Sequence, residues 1–105
     1  MRQGEIWWAN LPAPQGLRPV VVLTRNDALD HLHAIVVAPI TRTVRGIATE
    51  VELGPEDGLP SRCAMSLDNL ATIEKDVFLQ VLTSLSAQKM NEVYEGLHAA
   101  FALPY

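Results

Sequence analysis

The stretch Gly16-Leu17-Arg18-Pro19-Val20-Val21-Val22-Leu23-Thr24 decides the fold class. From Val20 to Thr24 it is a continuous β-branched and apolar run, the pattern of a strand buried on both faces. Pro19 fixes its own φ and biases Arg18 towards extended geometry, so the guanidinium stands on a stiff element at the rim of a Gly/Pro loop. A second run of the same kind, Ala-Ile-Val-Val-Ala-Pro-Ile, spans Ala34 to Ile40. The polar segment between them, Arg25 to His33, reads as a helical turn.

Shorter elements surround this pair. Gly4 to Ala9 is strand-like, and the segment from Asn10 to Leu17 holds Pro12, Pro14 and Gly16 and reads as a surface loop. Thr41 to Ala48 is a loop or hairpin tip with Arg42, Arg45 and Gly46. Thr49 to Leu53 alternates polar and apolar residues as a half-exposed strand does. Gly54 to Gly58 is a turn, and Cys63 to Leu67, Leu70 to Ile73 and Phe78 to Leu85 read as further short strands.

The last element has a different period. Ser86 is placed as an N-cap, and Met90, Val93, Leu97 and Phe101 recur at three- and four-residue spacing, predicting an amphipathic helix that stops before Pro104. Gly96 inside it costs about 1 kcal/mol relative to Ala, so the helix relies on packing. Six or seven short strands followed by one helix predict a small, mostly antiparallel barrel or sheet with a covering helix.

At 105 residues, 49% apolar and 19% charged, the chain has room for one domain, residues 1–105, and pairing with a second copy would help so small a core. Its net charge of −4 argues against binding phosphate backbones without sequence preference. The halves differ, however: residues 1–49 hold five arginines against three carboxylates, a net of +2, and residues 50–105 hold three bases against nine carboxylates, a net of −6. A lone Cys63 offers no internal disulfide, so the cytosol is the default compartment. No secretory signal is legible, and the apolar run from Ala34 to Ile40 is too short to span a bilayer.

Three features bear on chemistry. Arg18, anchored by Pro19, suits an anionic ligand, although an arginine in that place also serves as a sheet-edge cap or a salt-bridge partner. In Pro39-Ile40-Thr41-Arg42-Thr43 a buried strand runs into two hydroxyls and a base. Thr41 at a strand end commonly makes only turn hydrogen bonds, yet beside Arg18 its hydroxyl would help hold a phosphate. In Leu67-Asp68-Asn69-Leu70-Ala71-Thr72, Asp68 and Asn69 fall between strands, as turn residues or as a base-edge reader.

Other motifs are weaker. His31 and His33 share a face on a strand, but no third ligand lies at a suggestive spacing, so no metal site is assigned. Trp7 and Trp8 are adjacent and point to opposite faces; one belongs in the core and the other is available to stack on a base or pack in an interface.

Taken in order, Gly4-Glu5-Ile6-Trp7, Gly16-Leu17-Arg18-Pro19-Val20-Val21-Val22, Ala38-Pro39-Ile40-Thr41, Leu67-Asp68-Asn69-Leu70-Ala71-Thr72-Ile73 and the final helix resemble the MazF/PemK toxins over almost the whole chain. The resemblance implies an SH3-like small barrel (CcdB/MazF-like) with a C-terminal amphipathic helix, assembled as a homodimer. It also implies the toxin of a toxin–antitoxin system, a sequence-specific endoribonuclease that uses no metal and no cofactor. The family's catalytic arginine and threonine fall on Arg18 and Thr41, and its base-contacting position in the later motif falls on Asn69. Further RNA contacts are expected from Gln15, Arg42 and Trp8.

Two departures limit the carry-over. The loop before Arg18 is short and reads Ala13-Pro14-Gln15 where many relatives have Ser-Glu-Gln, and Ala71 stands where they have arginine, so cleavage specificity is not transferable. The expected substrate is single-stranded RNA, cut by its own 2′-hydroxyl to leave a 2′,3′-cyclic phosphate and a 5′-hydroxyl, with no general base assigned. The expected partner is an antitoxin whose acidic, disordered segment folds across the same groove. The alternative is a non-catalytic SH3-like binding module or a gyrase-poisoning toxin of the same fold. Gyrase poisons need a C-terminal Trp-Gly-Ile tail, and this chain ends Phe101-Ala102-Leu103-Pro104-Tyr105.

Overall fold

Val20, Val21 and Val22 have no exposed surface, because the sheet they cross carries an apolar layer on each face. The structure, a computed structural model, describes residues 1–104; Tyr105, the last residue of the tail compared above, lies outside the described residues. In that structure Val21 joins Ile6, Ala38, Met65 and Leu67 in one layer, whereas Val20 and Val22 join Ala9, Leu29, Ile35 and Val37 in the other. Burying apolar groups on both faces at about 25 cal/mol per Å² is what makes an unbroken valine run favourable here.

The described residues form seven strands and two α-helices. The strands are β1 (Glu5–Leu11), β2 (Gly16–Val22), β3 (Ala34–Thr41), β4 (Glu50–Leu53), β5 (Cys63–Ser66), β6 (Ala71–Glu74) and β7 (Phe78–Ser84), with α1 (Asn26–Leu29) between β2 and β3 and α2 (Ala87–Phe101) last. Their order is β4-β5-β3-β2-β1-β7, all neighbours antiparallel, and β6 also pairs with β3. β3 is shared: residues 34–37 pair with β6, and Ile40 and Thr41 pair with β5. The path ends at β4 and β7, so the sheet is bent and layered but not closed on itself. The mostly β fold with a C-terminal helix is the one the sequence predicts.

The segment expected as a loop from Asn10 to Leu17 is shorter than that. Asn10 pairs with Leu17 and Leu11 with Gly16, so β1 and β2 form a tight hairpin turning at residues 12–15. Both prolines sit inside the turn, where their missing N–H groups cost no ladder bond, and Gly16 supplies a φ of +65° at the return.

Ser86 caps α2 as expected, its Oγ accepting from the Lys89 N–H at 3.1 Å. Val93 is fully buried, and Met90 and Leu97 pack against the same layer. Phe101, placed on that face by spacing, is instead 59% exposed. It is the last residue of the helix, which ends at Ala102 with a φ of +50°. Gly96 is buried because a Cβ there would run into the Leu67 δ1 methyl, so the glycine lets α2 lie close against the turn after β5. Among the described residues no helix is long and apolar enough to cross a membrane.

Candidate active site

A groove of about 460 Å³ crosses the strands on one side of the molecule. β2 contributes Leu17, Arg18 and Pro19, and the end of β3 contributes Ile40 and Thr41, with Arg42 just beyond. Trp8 comes from β1 and Gln15 from the hairpin turn. Two arginines and no carboxylate line it, so the groove is locally cationic on a chain whose net charge is −4.

Arg18 is exposed, and its Nε donates to the backbone carbonyl of Gln15 at 3.1 Å. Among the described residues no carboxylate pairs with it, which removes the salt-bridge reading of this arginine. One donor is therefore spent on orientation, and the terminal N–H groups are left as a fork suited to phosphate oxygens. Thr41 is half-buried, and its Oγ1 accepts from the Thr43 N–H at 3.1 Å. That bond uses an acceptor lone pair and leaves the hydroxyl proton to donate.

The two tryptophans divide as their alternation requires. Trp7 packs edge-to-face on Phe78, with centroids 6.0 Å apart and rings at 81°, and its Nε1 donates to Glu5 Oε1 at 3.0 Å. Trp8, on the opposite face of β1, lines the groove. Arg18, Thr41, Gln15, Arg42 and Trp8 are thus brought together from four separate parts of the chain.

Asn69 is not brought with them. It is exposed on the turn linking β5 to β6, with its Nδ2 donating to the buried Ser66 Oγ at 2.7 Å. Its neighbour Asp68 accepts from Thr49 Oγ1 at 2.5 Å. His31 and His33 are both exposed, and among the described residues no group of three His, Cys, Asp or Glu side chains is placed to hold a metal ion.

Sequence reasoning missed one wall of the groove. Leu59, Pro60 and Ser61, from the link between β4 and β5, line it together with Cys63. Gly-Leu-Pro-Ser reads as an ordinary turn, and only the antiparallel pairing of β3 with β5 brings that turn up to Thr41. Burial pushes the Cys63 thiol pKa up, and the charges of Asp57 and Glu56 add to the effect, so this cysteine is a poor nucleophile despite its position.

The family model for PemK-like, MazF-like toxins of type II toxin–antitoxin systems matches residues 2–101. The chain belongs to this toxin family. "Probable endoribonuclease MazF2" of Mycobacterium tuberculosis is 41% identical over 101 residues, covering 95% of this chain and 97% of that protein. The solved structure of the Mycobacterium tuberculosis toxin MazF-mt6 superposes with a TM-score of 0.89 at 37% identity, covering 96% of this chain and 99% of that one. A mycobacterial endoribonuclease solved in complex with its cognate antitoxin gives a TM-score of 0.88 at 27% identity, covering 100% and 98% of the two chains. The MazF-like fold is therefore matched along its full length, and the groove described above lies wholly within the matched residues.

Proposed function

We propose that this MazF-like toxin is an endoribonuclease that cleaves single-stranded RNA in the groove centred on Arg18 and Thr41. The observation that carries the reading is the composition of that groove: two arginines and a threonine with a donating hydroxyl, on two adjoining segments, with no opposing carboxylate. RNA brings its own nucleophile. In-line attack of a 2′-hydroxyl on the adjacent phosphorus forms the 2′,3′-cyclic phosphate and breaks the bond to the 5′-oxygen, which leaves as a 5′-hydroxyl once protonated. Such a step requires positioning and charge stabilisation more than new covalent chemistry.

Arg18 takes the central role, its terminal N–H groups stabilising the charge that builds on the phosphoryl oxygens, and Thr41 donates to a non-bridging oxygen. No carboxylate or imidazole lines the groove, so no side chain is assigned as the base that takes the 2′-hydroxyl proton. Gln15, Arg42 and Trp8 hold the strand, and Asn69 contacts a base beyond the groove. An acidic antitoxin segment competes with RNA for the cationic surface, in line with the mycobacterial relative solved with its antitoxin. The working unit is a homodimer acting in the cytoplasm.

The test is incubation of the purified protein with mixed RNA oligonucleotides in chelator, alongside Arg18→Ala and Thr41→Ala. Cleavage by the wild type and its loss in both folded variants is expected. Folded wild-type protein that leaves every RNA intact would favour a non-catalytic binding module instead.

A further inference from the structure

The link from β3 to β4 begins with Arg42, which lines the groove, and passes from one side of β5 to the other, because β5 pairs with both strands. It has no regular structure from Thr43 to Ile47, and two side chains tie it down. At its start the Thr43 N–H donates to Thr41 Oγ1 at 3.1 Å. At its far end Glu50, the half-buried first residue of β4, accepts from the Arg45 N–H at 2.8 Å and from the Gly46 N–H at 3.2 Å, both on the same oxygen, Oε1. Gly46 stands at a φ of +68°, a left-handed conformation that glycine adopts without strain. Only Val44 separates the two ties, so losing the second leaves the backbone from Val44 to Gly46 held by neither side chain.

The carboxylate orders this loop without neutralising it. Among the described residues neither Arg42 nor Arg45 is in an ion pair, and Glu50 does not line the groove. Pairing with a guanidinium would withdraw it from phosphate, whereas accepting from backbone N–H groups fixes the loop and leaves both arginines available.

We infer that Glu50 is a positioning residue for RNA: by holding the Arg45 and Gly46 amides it fixes the segment 42–46, so that Arg42 meets a phosphate of the bound strand in a preformed position. This rests on the RNA-cleavage reading above. A role through charge alone predicts the opposite sign, because removing a carboxylate beside a cationic loop strengthens the attraction for RNA whichever neutral residue replaces it.

The experiment measures KM and kcat on an RNA oligonucleotide for wild type, Glu50→Ala, Glu50→Gln, Arg42→Ala and the double variant Arg42→Ala/Glu50→Ala, with amide hydrogen exchange read on each free protein. Glu50→Ala is expected to raise KM about tenfold, the size of one lost charge-assisted contact, with kcat unchanged and faster exchange at Arg45 and Gly46. Glu50→Gln keeps an oxygen where both bonds end, and is expected to restore the wild-type KM and protection. The double variant is expected to match Arg42→Ala, since Glu50 acts through that residue. If Glu50→Ala does not fold, Glu50→Asp, whose oxygens are drawn back by one methylene, takes its place with the same expectation. An unchanged or lowered KM in Glu50→Ala, a Glu50→Gln variant that behaves as Glu50→Ala, or additive losses in the double variant overturns the inference and leaves the cleavage reading standing. A wild type that cuts no RNA overturns the cleavage reading, and the inference falls with it.

Discussion

Arg18 Nε donates to the carbonyl of Gln15 at 3.1 Å, so the hairpin turn itself orients the guanidinium of this groove-lining residue. A residue with no Nε loses both the aim and the fork. Arg18→Ala should lower the cleavage rate by on the order of 10²-fold or more, and Arg18→Lys should recover little of it. Because Arg18 is exposed, thermal unfolding of both variants should stay within about 0.5 kcal/mol of wild type. Single-turnover rates and calorimetry on the same samples check the pair of outcomes.

In the proposed reaction Thr41 acts through its hydroxyl, which accepts from the Thr43 N–H and has its proton left to donate. Thr41→Ser keeps both functions and should retain most activity, whereas Thr41→Ala should lose at least about tenfold in rate. Equal loss in the two variants would assign Thr41 a packing role.

Gly96 faces Leu67, which is 1% exposed and has nowhere to retreat. Helix propensity alone makes Gly96→Ala stabilising by about 1 kcal/mol. Overpacking against a buried leucine costs about 1–3 kcal/mol, so the net effect should be destabilising. Chemical denaturation gives the sign directly.

Cys63 lines the groove, yet its thiol is held mainly in the protonated form by burial and by the nearby carboxylates. A raised thiol pKa means less thiolate at a given pH. Alkylation by iodoacetamide at pH 8 should therefore run well below the rate of a free cysteine, and should reach that rate once denaturant is added. Mass spectrometry over a time course reads it.

The parts of this fold legible in the sequence were those set by local chemistry. An unbroken valine run buries on two faces wherever it lies, and Ser86 followed by a three-and-four spacing marks a helix start without tertiary help. Arg18 was legible because Pro19 and Gly16 fix its backbone, and Thr41 because a buried strand ends there. What was hidden depends on pairing between distant segments. The register Leu11 to Gly16 lengthens the hairpin beyond what two prolines suggest, and the β3–β5 pairing brings Pro60 and Ser61 to the groove from a turn with no motif. Phe101 follows the helix period but lies past the stretch that Gly96 holds against Leu67, and Asn69 sits on a turn outside the groove.

The central claim is that the substrate supplies the nucleophile and the groove stabilises the charge. It is tested most directly with a labelled RNA oligonucleotide cut by the wild type, compared with the same oligonucleotide carrying one 2′-deoxy sugar at the scissile step. The account predicts a 2′,3′-cyclic phosphate and a 5′-hydroxyl from the first and no cut at that step in the second. Cleavage of the deoxy-substituted bond at a comparable rate would contradict it.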